Sequence, residues 1–300
     1  MNQEKNQENL LKKASYLRLA AINLAEGMKS GNFRSLYKGQ GIEFSGVRDY
    51  IRGDDVRSID WNVTARMGTP YVKIFEEDRE LQIFMIIDSS FSMRLKGDGE
   101  KLTKYDTVVQ LASLLTLAAE INGCPIGSVF FDGEIYFSCK PQGGRERTML
   151  LLSKLNKKLE KGVRGSVLEN AITGAGKLLN KRSLVFVLSD FRNGDYQKPL
   201  IRLAQKNDVV AIKINNKMDT QLPLVGAAKF LDVESGYTER LPSSSAAFQK
   251  SWKDYFEKIN YTWRETCTKH GIMPVMMSVN DDALQVLTSV FAVKSKRKYK

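Results

Sequence analysis

Histidine is all but absent from this chain: among 300 residues, His270 is the single example. It stands in a Lys-His-Gly stretch that reads as a helix end, where a surface or capping role suits it better than catalysis. Cysteine is nearly as scarce. Cys124, Cys139 and Cys267 lie far apart, which excludes a paired zinc motif or a disulfide framework and suits a reducing compartment. Long apolar runs are missing as well. The longest, Leu111–Ala119, contains Ser113 and Thr116 and falls well short of the roughly 20 residues that a membrane helix needs. Met1–Lys13 is polar and charged, without the apolar stretch of a signal peptide. The expectation is a soluble, cytoplasmic protein.

Hydrophobic residues make up 42% of the chain, enough to bury one large α/β domain with an extension, or two modest domains. Net charge is +12, and Lys294, Lys296, Arg297, Lys298 and Lys300 all fall in the last seven residues. The remaining excess is spread without an aromatic-interleaved basic stripe, so charge alone does not make this a nucleic-acid protein. A solvated basic tail is the simple reading; contact with acidic lipid or an acidic partner is the sharper one.

Hydropathy patterning predicts alternating helices and strands. Leu11, Ala14, Leu17, Leu19, Ala20 and Leu24 recur with helical spacing, predicting an amphipathic helix over Leu10–Gly31. Lys38–Arg66 is Gly-rich, strongly charged and without helical period, so it reads as loop-rich. Tyr71–Phe75 is a short strand candidate, followed by acidic Glu76, Glu77 and Asp78. Continuous apolar runs predict buried strands at Leu81–Ile87, Ile126–Phe131, Ser183–Leu188 and Val209–Ile214. Glu134–Ser138 reads as a hairpin strand turned at Asp132-Gly133, Phe230–Val233 as an edge strand and Met273–Met277 as a last strand. Helices are expected at Tyr105–Ile121, Arg147–Leu159, Val167–Leu179, Pro199–Gln205, Ala247–Lys269 and Ala283–Phe291. The fold class is therefore α/β, a doubly wound and mostly parallel sheet with an N-terminal helical and loop-rich extension. Residues 1–80 form that extension, 81–293 the sheet domain and 294–300 the tail.

Such sheets collect ligands just beyond the carboxyl ends of their strands. The first buried strand ends in Asp88-Ser89-Ser90-Phe91-Ser92 and the third in Ser189-Asp190, while Arg164-Gly165-Ser166 opens a helix with a further hydroxyl. Asp88, Ser90, Ser92, Ser166 and Asp190 thus make an all-oxygen candidate set. Mg²⁺ or Mn²⁺ takes such an octahedral oxygen shell and keeps several waters, so a carboxylate serves directly or through water. Capping of the next helix by Asp88 and its serines is the competing reading.

The Asp-x-Ser-x-Ser run with a distant Asp resembles the metal-ion-dependent adhesion site of von Willebrand factor A (VWA) domains. That pattern includes a distant Thr, for which Ser166 is the candidate here; Ser keeps the hydroxyl. The resemblance implies a metal with an open position, completed by an Asp or Glu of a partner protein.

A second resemblance is more specific. Gly39-Gln40-Gly41-Ile42-Glu43-Phe44, the run Arg48 to Trp61, and Ala65-Arg66 closely resemble the domain-of-unknown-function-58 family, whose members contain a VWA-like domain. The likeness continues through Val72–Glu80, Asp88–Met93, Lys104-Tyr105-Asp106, Ser189-Asp190 and Asp232–Gly236, covering most of residues 16–291. In the hallmark run Arg48, Arg52, Arg57 and Arg66 alternate with Asp49, Asp54, Asp55 and Asp60. Arginine forks bind carboxylates in pairs, so the run reads either as an ion-pair network anchored by Trp61 and Tyr50 or as a docking surface. Genes of this family often neighbour those of MoxR-type AAA+ ATPases. The resemblance implies a non-enzymatic adaptor that links such an ATPase to client proteins presenting acidic residues. The alternative from another class is a Mg²⁺-dependent hydrolase built on Asp88 and Asp190, against which no histidine base or activated nucleophile stands out. Gly174-Ala175-Gly176-Lys177 lacks the earlier glycine and the Ser or Thr of a phosphate loop.

Overall fold

The computed structural model describes residues 20–26, 28, 40–76, 81–97, 99–156, 166–192, 195–220, 222, 226–231 and 238–293. Two strands, β1 (Gln40–Asp49) and β2 (Tyr71–Glu76), pair antiparallel ahead of the main sheet. Between them lie a 3-10 turn at Val56–Ser58 and a short helix, α1 (Trp61–Met67). The segment expected to be loop-rich is thus a folded ribbon. Asp60 caps α1 by accepting from the Asn62 and Val63 amides, and Gly68, with φ 76°, closes it by donating to the Thr64 carbonyl. Ile59 bridges Val72, and both side chains are buried within the ribbon.

The main domain alternates β3 (Ile83–Asp88), α2 (Phe91–Arg94), α3 (Lys104–Ile121), β4 (Ile126–Phe131), β5 (Ile135–Gln142) and α4 (Arg145–Asn156). It continues with α5 (Leu168–Leu178), β6 (Leu184–Ser189), α6 (Gln197–Lys206), β7 (Asp208–Asn215), α7 (Lys217–Thr220), β8 (Ala227–Leu231) and β9 (Thr238–Pro242). A long helix, α8 (Ala246–Lys269), then β10 (Met273–Ser278) and α9 (Ala283–Val293) complete it. The His270 backbone amide donates to carbonyls at the end of α8, the helix-end placement that its Lys-His-Gly context predicts.

Six strands form one sheet in the order β10-β7-β6-β3-β4-β5, all parallel except β5, which returns antiparallel beside β4. The predicted edge strand near Phe230 does not join it. That strand is Ala227–Leu231 and pairs with Thr238–Pro242 in a separate ribbon, leaving β10 and β5 at the sheet's edges. Both faces of the sheet are covered, which is why β3 and β6 read as apolar runs up to their last residue instead of alternating ones. Ile83, Met85 and Ile87 face one layer with Leu111 and Leu115 of α3, Leu151 of α4 and Leu287 of α9. Phe84 and Ile86 face the other, with Ala171 and Ile172 of α5, Leu200 of α6 and Trp263 of α8.

Helical residues 20–26 and 28 belong to the first layer: Ala20, Leu24, Ala25 and Met28 are buried in its core, and Asn122 donates to the Ala25 carbonyl. A boundary at residue 80 therefore does not part this helix from the sheet domain. The beginning of that helix, the motif at 232–236 and the basic tail at 294–300 lie outside the described residues.

From β3 the chain moves outward through β4 and β5, then crosses back to lay β6 against the other side of β3. The winding direction reverses there, and helices leaving to opposite faces open a crevice above the carboxyl ends of β3 and β6.

Candidate metal centre

Asp88 is the last residue of β3, and Asp190 follows the last residue of β6, so the reversal point brings together two acids 102 positions apart. Asp88 is 2% exposed and Asp190 3%. One Asp88 oxygen accepts from the Ser90 amide at 3.0 Å and the other from the Ser189 hydroxyl at 2.5 Å. The Ser90 and Ser92 hydroxyls stand 3.2 Å apart, both buried. Ser89 turns the other way, its hydroxyl donating to the Phe131 carbonyl and meeting the Tyr136 hydroxyl at 2.9 Å. Arg94 Nε pins the Ser89 carbonyl at 2.8 Å. Ser89 thus fixes the loop to β4 and β5 on one side, while the Ser90 and Ser92 hydroxyls pair with each other, buried, on the other.

The Asp190 side is built differently. Lys104, 1% exposed, places its ammonium 3.0 Å from Asp190 and 3.2 Å from Asp219. It is the first residue of α3, whose start is fixed by a reciprocal box: Thr103 accepts from the Asp106 amide, and Asp106 accepts from the Thr103 amide. A cation at a helix amino terminus opposes the helix dipole, so the two carboxylates must compensate for it. Arg192 adds a second cation, 3.6 Å from Asp190 and hydrogen-bonded to Asp219. Asp219 also accepts from the Asn216 amide. Glu100 ties the loop before α3 to the same region, accepting from the Gly97 and Lys217 amides. Phe191 carries the chain out of β6 with φ 52°, a left-handed conformation that costs a bulky residue energy. Its ring holds that turn by packing on Tyr196 and Trp263.

The two acids consequently differ in how readily they ionise. Burial, reinforced by the neighbouring Asp190 charge, pushes the Asp88 carboxyl up to about 7. Burial opposes the Asp190 charge as well, but the Lys104 and Arg192 cations outweigh it and hold that carboxyl below its ordinary value. Lys213 on β7, buried beside the Trp263 ring, is pushed down to about 8 by desolvation.

Ser166 sits just before α5 and is half-buried; its neighbour Val167 donates to the Asp132 carbonyl at the end of β4. Among the described residues no hydrogen bond joins its hydroxyl to the other four. Arg164 and Gly165 lie outside the described residues. Sequence reasoning gave Lys104 no role beyond its place in the family likeness and did not single out Arg192 or Asp219. A signal for Lys104 was present: with Val108, Leu111 and Leu115 it completes the buried stripe of α3.

The donor set fits a hard divalent cation on the Asp88 side. Two buried hydroxyls stand next to a buried carboxyl that, among the described residues, has no cationic partner. Asp190 fits only as a more distant, water-mediated member, because Lys104 and Arg192 already hold it. Among the described residues, His, Cys, Asp and Glu nowhere gather in threes, so hydroxyls must supply much of any shell.

In the hallmark run, Arg48 grips Asp54 through two contacts of 2.7 Å, and Asp54 also accepts from the Ile51 amide. The Arg48 guanidinium, with that backbone bond, lowers the Asp54 carboxyl to about 2. Asp55 caps the 3-10 turn and Asp60 caps α1, with Lys73 3.9 Å from Asp60. Among the described residues, Arg52, Arg57 and Arg66 make no ion pair.

The family described as "Protein of unknown function DUF58" matches residues 46–259. The chain belongs to this family. Uncharacterized proteins of Mycobacterium tuberculosis and Mycobacterium bovis are 31% identical to this DUF58 chain over 223 residues, spanning 73% of it and 69% of each of theirs. Among solved structures, an aerotolerance-related membrane protein from Bacteroides fragilis NCTC 9343 aligns at 14% identity and TM-score 0.45, over 70% of this chain and 96% of that one. The VWA domain of SpRpn10 aligns at 15% identity and TM-score 0.37, over 71% and 97%. The DUF58 chain's own topology is the VWA-like α/β fold that the sequence resemblance implied, six strands and mostly parallel. No helix among the described residues is long and apolar enough to cross a membrane.

Proposed function

We propose that this DUF58 chain recruits other proteins through a divalent cation held at the carboxyl edge of its sheet, and that it does so without catalysing a reaction. The observation that carries this reading is the Ser90–Ser92 hydroxyl pair, 3.2 Å apart, beside the buried Asp88 carboxyl, which has no cationic partner among the described residues. These three residues hold the ion, Asp190 contributes through water, and Ser166 completes the rim. Mg²⁺ or Mn²⁺ bound there supplies an open coordination position for an Asp or Glu side chain of the partner. Lys104 and Arg192 leave Asp190 with little charge to share, so the protein's shell donates weakly and favours a partner that brings a full carboxylate. The family resemblance supports a MoxR-type AAA+ ATPase and its clients as the proteins so linked, in the cytoplasm.

The test is calorimetric titration of Mg²⁺ and Mn²⁺ into the parent and Asp88→Ala, with and without a glutamate-rich peptide. Saturable binding that requires Asp88 and tightens with the peptide is expected. Equal heats from parent and variant would reduce Asp88 and its serines to helix caps.

A further inference from the structure

Four large apolar side chains stand in water within seventeen residues of the hallmark ribbon. Trp61 is 66% exposed and Ile51 63%, with Met67 and Val56 close behind. Single exposed apolar residues are ordinary on any protein, but here they alternate with Arg52, Arg57 and Arg66, exposed and without a carboxylate partner among the described residues. The ribbon's acids do not answer them. In residues 46–73, Asp54, Asp55 and Asp60 are committed to capping amides and to Arg48, which leaves Asp49 without such a task among the described residues. Tyr50, Asp60 and the Ile59–Val72 bridge hold this array to β2 through backbone bonds, so it is presented already folded.

From this we infer that the ribbon over residues 51–67 is a docking surface for an acidic polypeptide segment that carries an apolar anchor. Exposed Trp and Arg dominate the energetics of protein interfaces, and guanidinium forks grip carboxylates in pairs. A second copy of this chain is a poor occupant, because both copies carry a net charge of +12. An anionic membrane is a poor one too: in residues 46–70 the four arginines are cancelled by four aspartates, leaving no long-range pull toward lipid. An acidic segment instead pairs locally with the three arginines that have no carboxylate partner among the described residues, while burying its anchor against Trp61. This surface is independent of the sheet-edge site; among the described residues no hydrogen bond or ion pair joins residues 46–73 to the elements that carry Asp88.

A random dodecapeptide library displayed on phage, selected against the immobilised full-length chain, tests this directly. Recovered peptides are expected to be rich in Asp and Glu around one aromatic or aliphatic residue. Synthesised, they should bind the parent and lose at least about tenfold in affinity to Trp61→Ala and to the triple variant Arg52→Ala/Arg57→Ala/Arg66→Ala, with unchanged melting temperatures showing that both variants fold. Asp88→Ala should bind them like the parent. Peptides without acidic enrichment, affinities untouched by the ribbon variants, or loss of binding in Asp88→Ala would each overturn the assignment. So would Trp61-dependent sedimentation with phosphatidylglycerol vesicles that acidic peptides fail to compete.

Discussion

Lys104 and Asp190, 86 positions apart in sequence, meet at 3.0 Å inside the protein, each almost wholly shielded from water. The contact joins the first turn of α3 to the end of β6, and Asp219 draws the segment after β7 into the same pair. The crevice at the reversal point is therefore framed by charge on one side and by neutral hydroxyls on the other.

Removing the ammonium is expected to be severe. Lys104→Met leaves Asp190 and Asp219 as buried acids sharing the half-exposed Arg192, a loss on the order of 3–5 kcal/mol. Adding Asp219→Asn removes one stranded charge and should recover part of that loss. Urea unfolding of the parent, both single variants and the double variant checks it; simple additivity would show that the residues do not act as a unit.

Asp88 gives a pH signature of the opposite kind. Its folded-state pKa is raised to about 7, so between roughly pH 4 and 7 the folded protein binds more protons here than the unfolded chain does. This residue's contribution to stability thus falls as pH rises through that window and stays low above it. Without metal, Asp88→Asn should match the parent near pH 4 and exceed it at pH 8, by an amount on the order of a few kcal/mol. Parallel stability-versus-pH curves for the two would show that Asp88 is not the buried acid responsible.

The same proton competes with a cation. Binding requires the ionised carboxylate, so apparent Mg²⁺ affinity is expected to drop about tenfold per pH unit below 7 and to level off above it. Calorimetry across pH 5 to 8 reads this, and a flat profile would exclude Asp88 from the ligand set.

In the hallmark ribbon, Asp60→Ala removes the cap of α1 and should destabilise that helix by about 1 kcal/mol. Arg57→Ala, which breaks no ion pair, should change stability by less than about 0.5 kcal/mol. Amide exchange over residues 61–67 separates the two. Equal protection in Asp60→Ala and the parent would show that tertiary packing, not the cap, holds α1.

The core strands and the crevice were legible because burial on two faces leaves runs such as Ile83–Ile87 with no polar interruption, and strand ends then locate Asp88 and Asp190. The ribbon strand Gln40–Asp49 was not. A two-stranded ribbon outside the main sheet has no face that must be apolar, so its glycines and charges read as loop. The spacing of Lys104 with Val108, Leu111 and Leu115 marks it as buried, but its partners lie 86 and 115 positions away, and pairing at that distance leaves no periodic trace. Nor does composition say whether an aspartate caps a helix or pairs with an arginine, which is why Asp55 and Asp60 read as members of an ion-pair mesh.

The place of β3 in the middle of the sheet has a cost during synthesis. One flank is covered as soon as β4 emerges, but the other waits for β6, and the Ser189–Asp88 bond that locks them spans 101 residues. At about 5–20 residues per second, translation leaves that flank of a strand apolar from Ile83 to Ile87 open for roughly 5–20 seconds. A nascent chain in this state needs shelter until β6 arrives.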